Sequence, residues 1–244
     1  ASPSNPGEIA AGTFYFRIIH KEGSAWHSWG GSGSDVAVTL NDPTATITHD
    51  ASSGNWSTNG SKTFSATAGK IYKILFKANP SGSGANDDLS IYEFSGATQS
   101  ISSVSNPGNG LASASYTVTT TLGGTPVAEE RVYVRYSTDN WSSASVVEGN
   151  PSSNSIDLNI PSQSAGTTVK YYVFTGVTGI SSANADKATI LLDNNSGGNY
   201  SYYVESGVGA ISGDSGFRIL CSPVSGQILG ELLTNLWTQG MTGA

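Results

Sequence analysis

The chain has 244 residues, a formal net charge of −7, 12% charged residues, 30 glycines and a single cysteine. No basic run supplies the positive footprint that displaces counterions, so nucleic acid is excluded as a partner, and an anionic membrane surface is disfavoured for the same reason. No stretch approaches the ~18 apolar residues a membrane-crossing helix needs, and the lone Cys221 rules out an intrachain disulfide.

Taken in chain order, residues 1–12 are rich in Pro, Gly and Ala and read as a leader; Ala1-Ser2-Pro3 fits a mature terminus left by cleavage after a small residue. Strands are then expected over "TFYFRII" (Thr13–Ile19), "DVAVTL" (Asp35–Leu40), "TATITHD" (Thr44–Asp50), "KTFSATA" (Lys62–Ala68), "KIYKILFKA" (Lys70–Ala78) and "LSIYEFS" (Leu89–Ser95). Gly, Asn and Pro clusters separate them at the spacing of a β-sandwich or barrel. The pattern lapses at "SNPGNG" (Ser105–Gly110), which places a domain boundary there.

A second set follows: "ASYTVTTTL" (Ala114–Leu122), "RVYVRYS" (Arg131–Ser137), "ASVVEG" (Ala144–Gly149), "SIDLNIP" (Ser155–Pro161), "TVKYYVFT" (Thr168–Thr175), "KATILLD" (Lys187–Asp193) and "NYSYYVE" (Asn199–Glu205). Seven strands in about ninety residues suit an immunoglobulin-like sandwich. Val132, Val134 and Tyr136 share one face, as do Val169, Tyr171 and Val173, so each sheet is expected to have one buried and one wetter face. The expected fold is all-β: two tandem antiparallel β-sandwich domains of immunoglobulin or fibronectin-III type. Residues 13–106 form the first domain and 111–205 the second. Residues 206–244 form a tail with the strand-like "FRILCSP" and an amphipathic helix. Its apolar stripe contains Ile228, Leu232, Leu236 and Trp237, and that stripe must dock on something.

Sites of chemistry are sparse. "GDSG" (Gly213–Gly216) matches part of a serine-protease nucleophile motif, yet His20, His27 and His49 all fall in the first domain, and Asp-Ser-Gly is ordinary turn sequence. The three histidines lack metal-ligand spacing. "NDDLS" (Asn86–Ser90) and "DNNSGGN" (Asp193–Asn199) place oxygen ligands in loops that calcium would accept, but their spacing fits turns, so no cofactor is expected. Glu129-Glu130 reads as a solvent-facing pair ahead of a strand. The aromatics say more. Trp26 and Trp29 in "SAWHSWGGSGSD", Trp56 in "SGNWSTNG" and Trp141 after a turn all look loop-borne. Flat rings among Asn, Asp and Ser suit sugar faces, and end-capping of a sandwich is the competing role.

"VYVRYSTDNWSSASVVEG", "IPSQSAGTTVKYYVFT" and "LLDNNSGGNYSYYV" together resemble the non-catalytic immunoglobulin-like modules, related to starch-binding modules, of large secreted multidomain bacterial proteins of the Bacteroidota type. The pieces are Tyr136–Trp141 and Pro161–Val173, and the likeness covers residues 111–205. "SAWHSWGGSG" through "KIYKILFKA" looks like another such module, and the tail is similar to the opening of a further domain in such proteins. The resemblance implies secretion to the cell surface and a non-catalytic role. Two functions follow as expectations. One is a structural or adhesion subunit that self-associates by strand addition or helix docking. The other is an α-glucan-binding module using Trp141 with Tyr136, or the Trp26/Trp29 loop.

Overall fold

The computed structural model describes residues 9–22, 24–30, 33–48, 60–77 and 86–206. The leader up to residue 8, Trp56, His49 and the whole tail from residue 207, with Ile228, Leu232, Leu236 and Trp237, lie outside the described residues.

The fold is all-β. In the N-terminal portion, β1 (Gly12–Phe16), β6 (Lys62–Ala66) and β4 (Val36–Ala37) make one sheet, ordered β1-β6-β4. The second sheet, ordered β5-β8-β7, contains β5 (Thr46–Thr48), β8 (Asn86–Phe94) and β7 (Ile71–Lys77). β2 (Ile18–Glu22) and β3 (Ala25–Trp29) form a hairpin. Two sequence expectations change here. "TFYFRII" is broken at Arg17 into β1 and β2, and "AWHSW" is strand, not loop. The reason is pairing: the β2 backbone lies beside β3 from Ile18 opposite Trp29 to Glu22 opposite Ala25. The two sheets meet through Phe64, Ala66 and Ile91, with Phe14, Val38 and Tyr72 packed around them. Beside them Trp29 packs on Leu89 and Phe76.

In the C-terminal portion, β9 (Ile101–Val104), β11 (Tyr116–Leu122) and β14 (Ser155–Ile160) form a sheet ordered β14-β11-β9. Facing it is a six-stranded sheet of β10 (Gly110–Leu111), β12 (Arg131–Ser137), β13 (Ser145–Gly149), β15 (Thr168–Gly176), β16 (Leu191–Asp193) and β17 (Tyr200–Glu205). Its order is β10-β17-β15-β12-β13, with β16 also pairing β15. Alternation builds the shared core. Tyr116, Val118, Thr120 and Leu122 of β11 point inward, and the threonines between them do not. Leu158, Ile160, Val132, Val134, Val169, Tyr171, Val173, Tyr202 and Val204 complete it. The Tyr171 hydroxyl donates to the Ser105 carbonyl at 2.8 Å and the Tyr116 hydroxyl to Asn106 Oδ1 at 3.3 Å, while the Tyr116 ring lies flat on Tyr202 with centroids 3.7 Å apart.

β9 was not read as a strand, and it precedes the lapse at "SNPGNG", yet it pairs with β11. "KATILLD" is strand only from Leu191. Before it stands α1 (Ala185–Ala188), whose Ala185 and Ala188 are buried, behind a turn in which Asn184 accepts from the Ser181 N–H at 2.7 Å.

The expectation of one wet face per sheet is overturned at the longest strands. In β12, Val132, Tyr133 and Val134 are all fully buried, and in β15 Val173 and Phe174 both are. β8 behaves likewise: Leu89 and Ile91 face its own portion, while Tyr92 and Phe94 are equally buried on the other side. The cause is a third layer of contact. Tyr92 and Phe94 pack against Tyr133, Phe174, Val177, Ile180, Ala185 and Ala188, so the two portions share a core. Tyr133 lies parallel to Phe174 at 4.9 Å, and its hydroxyl donates to the Val177 carbonyl at 2.5 Å.

Candidate functional site

The rim of this shared core carries the most organised polar chemistry. Glu130, expected to face solvent, is fully buried. Its carboxylate accepts the Gln99 N–H at 3.0 and 3.3 Å, and burial raises its pKa above the ordinary carboxylate value. Its neighbour Glu129 accepts from the Ser95 hydroxyl at 2.8 Å and the Ser95 N–H at 3.2 Å. The adjacent pair thus staples the segment leaving β8 to the start of β12. Two ion pairs flank the junction. Lys187 holds Asp88 at 2.7 Å, and Arg135 holds Asp186 at 2.5 Å while also donating to the Tyr172 hydroxyl at 2.8 Å.

From that rim an aromatic series runs outward along β15: Tyr133 to Phe174, Phe174 to Tyr172 at 6.1 Å, and Tyr172 to Trp141 at 5.2 Å. Trp141 is half-buried and sits within the turn after β12, where Asn140 has φ 57° and Trp141 φ 73°. Two successive left-handed residues are the signature of a type I′ turn, which favours Asn and Gly and penalises a bulky side chain. The turn is held by hydrogen bonds. The Trp141 N–H donates to Ser137 Oγ at 2.8 Å. Asp139 accepts from the Ser137 hydroxyl at 2.8 Å, the Ser143 hydroxyl at 2.6 Å and the Ser143 N–H at 2.9 Å. These bonds, those from Ser143 foremost, lower the Asp139 pKa to about 2. Lys170 Nζ donates to Asn140 Oδ1 at 2.7 Å, closing the outer side.

Among the described side chains, the sequence-derived aromatic candidates are therefore not brought together. Tyr136 points to the opposite face of the sheet, packed against the inner core, and the partner of Trp141 is Tyr172. Trp29 is 5% exposed, packed on Phe76 at 4.9 Å, with its indole N–H donating to Asp87, so it offers no free face. Trp26 lies opposite Lys21 in the β2–β3 register. Tyr172 was missed because only its contact with Trp141 singles it out among the tyrosines of "KYYVF".

The loop readings for calcium also change. "NDDLS" is the start of β8, with Asp87 bonded to Trp29 and Asp88 to Lys187. In "DNNSGGN", Asp193 accepts from the Asn195 N–H at 3.1 Å and the Tyr200 hydroxyl at 3.1 Å. Among the described residues no group of three or more His, Cys, Asp or Glu is placed to hold a metal, and no helix is long and apolar enough to cross a membrane. A separate groove of ≈ 350 Å³ lies beside β4 and the lead into β5, lined by Val36, Val38, Asp42, Thr44, Lys62 and Leu89 among others.

Scans against protein-family models, curated proteins and solved structures return no match to this chain.

Proposed function

We propose that this chain is a non-catalytic structural or adhesion component of the cell exterior, built from immunoglobulin-like β modules that self-associate. The observation that carries this reading is the junction itself. Tyr92 and Phe94 are buried against Tyr133 and Phe174, and Glu129 and Glu130 tie down the connecting segment. Modules joined through a large apolar interface are held in a fixed relation, whereas modules that close on a substrate move about a hinge. The sequence resemblance to secreted non-catalytic modules points the same way and supplies the extracellular location.

A second reading has an observation of its own: Trp141 is held half-exposed against Tyr172 in a backbone conformation that bulky residues avoid. That arrangement suits a small carbohydrate platform, with Lys170 and Asn140 at its border.

One pair of measurements separates the two. Sedimentation of the full chain over a range of concentrations shows reversible association under the structural reading, and a monomer throughout removes it. Retention on immobilised α-glucan that is lost in Trp141→Ala, with folding intact, establishes the carbohydrate reading; unretarded elution removes it.

A further inference from the structure

Among the described residues β7 is the terminal strand of its sheet, and its outer edge pairs with no other described strand. The direction of each backbone group there follows from the other edge of β8. The Leu89 N–H donates to the Ala45 carbonyl, the Ile91 carbonyl accepts from Asn41, and the Glu93 N–H donates to the Asn41 side chain. Leu89, Ile91 and Glu93 therefore face away from β7. Asp88, Ser90, Tyr92 and Phe94 face toward it, opposite Lys77, Leu75, Lys73 and Ile71. Strand alternation then sends the N–H and C=O of Tyr72, Ile74 and Phe76 outward.

We propose that this edge pairs with the same edge of a second copy, antiparallel and centred on Ile74. This rests on the self-associating reading above and names its surface. The register is self-complementary: Ile74 meets Ile74, and Tyr72 meets Phe76, so every outward group on one copy finds its counterpart. Side chains agree. Ile74 is 43% exposed and Ile71 40%, and pairing covers both. The charge pattern is compatible as well. Lys73 would stand opposite Leu75 and Lys77 opposite Ile71, so no lysine meets a lysine directly. Within its own copy Lys70 lies 3.8 Å from Glu129, and the charge of Lys73 acts on Glu130. A lysine-bearing edge usually deters pairing; here the Lys70 charge is offset by Glu129.

The test uses the full chain. Sedimentation should show a concentration-dependent dimer. Ile74→Lys, which sets two charges face to face on the axis, should lose it while keeping the parent melting curve. In a Cys221→Ser background, Ile74→Cys should crosslink through a short bis-thiol reagent. Lys77→Cys should not, because the register holds its two copies about 20 Å apart at ~3.4 Å per residue. If a dimer persists in Ile74→Lys and Ile74→Cys fails to crosslink, the β7 pairing is wrong and the assembly reading survives on another surface. A monomer at every concentration overturns both.

Discussion

The two portions of the molecule solve the same problem with different strands. The C-terminal portion has one continuous core between two sheets, fed by alternating strands such as β11. The N-terminal portion has shorter strands and splits its core into two clusters, both of which lean on β8. Its completion comes from outside: the far face of β8 is buried by its neighbour's Tyr133 and Phe174. The longest strand of each portion, nine residues in β8 and nine in β15, is buried on both faces, as is β12. The contrast teaches that the weaker portion borrows apolar cover, and that the borrowing is what joins the two.

The sharpest way to break that comparison is to empty the shared layer. Phe174→Ala removes a fully buried ring and should cost about 3–5 kcal/mol in urea denaturation. A loss under about 1 kcal/mol would mean the portions do not share a core. Next is the buried staple. Glu130→Ala leaves the Gln99 N–H without its acceptor and should cost about 1–3 kcal/mol. Glu130→Gln keeps an acceptor and removes the charge. Because burial raises the folded pKa of Glu130, its favourable contribution is complete below the unfolded value near 4.3 and is lost as pH rises through the folded value. Denaturation midpoints should therefore fall relative to the Gln variant across that window; parallel pH profiles would place Glu130 in a water-like setting.

Smaller effects are expected at the outer end of the aromatic series. Trp141→Gly relieves a left-handed strain of roughly 1–2 kcal/mol and forfeits a ring contact of roughly 0.5–1.5 kcal/mol, so thermal stability should move little. A loss beyond about 3 kcal/mol would instead make Trp141 a core plug. Asp139 should give the smallest change. Its folded pKa is depressed, so its contribution is full above the unfolded value near 3.9 and vanishes as pH falls through about 2. Carboxyl NMR titration of Asp139 checks it; a midpoint near 3.9 would show the Ser137 and Ser143 bonds are not kept in solution.

Much of the strand placement along the chain was legible because period-2 alternation survives in a single sequence. β6, β7, β12, β14 and β17 all fall inside expected segments where apolar residues recur at every second position, and β11, β13 and β15 overlap their expected segments. What escaped was set by partners distant in the chain. "AWHSW" has a composition shared by loops and strands, and pairing with β2 decides it. "ISSV" is too short and too polar to stand out until β11 lies beside it. The candidate site was half legible. Trp141 and its turn were visible in "STDNWSS", but Tyr136 was the wrong aromatic companion, because the sheet places it on the face opposite Tyr172.

By itself, then, the sequence determined the all-β class, most strands and the turn that carries Trp141, since these depend on residues within a few positions of one another. The tertiary structure alone decided which faces are dry, where Glu130 lies and which ring Trp141 touches. Those outcomes depend on residues such as Phe94 and Phe174, eighty positions apart, meeting in one layer. A local pattern has no term for a surface that a second portion of the chain later covers.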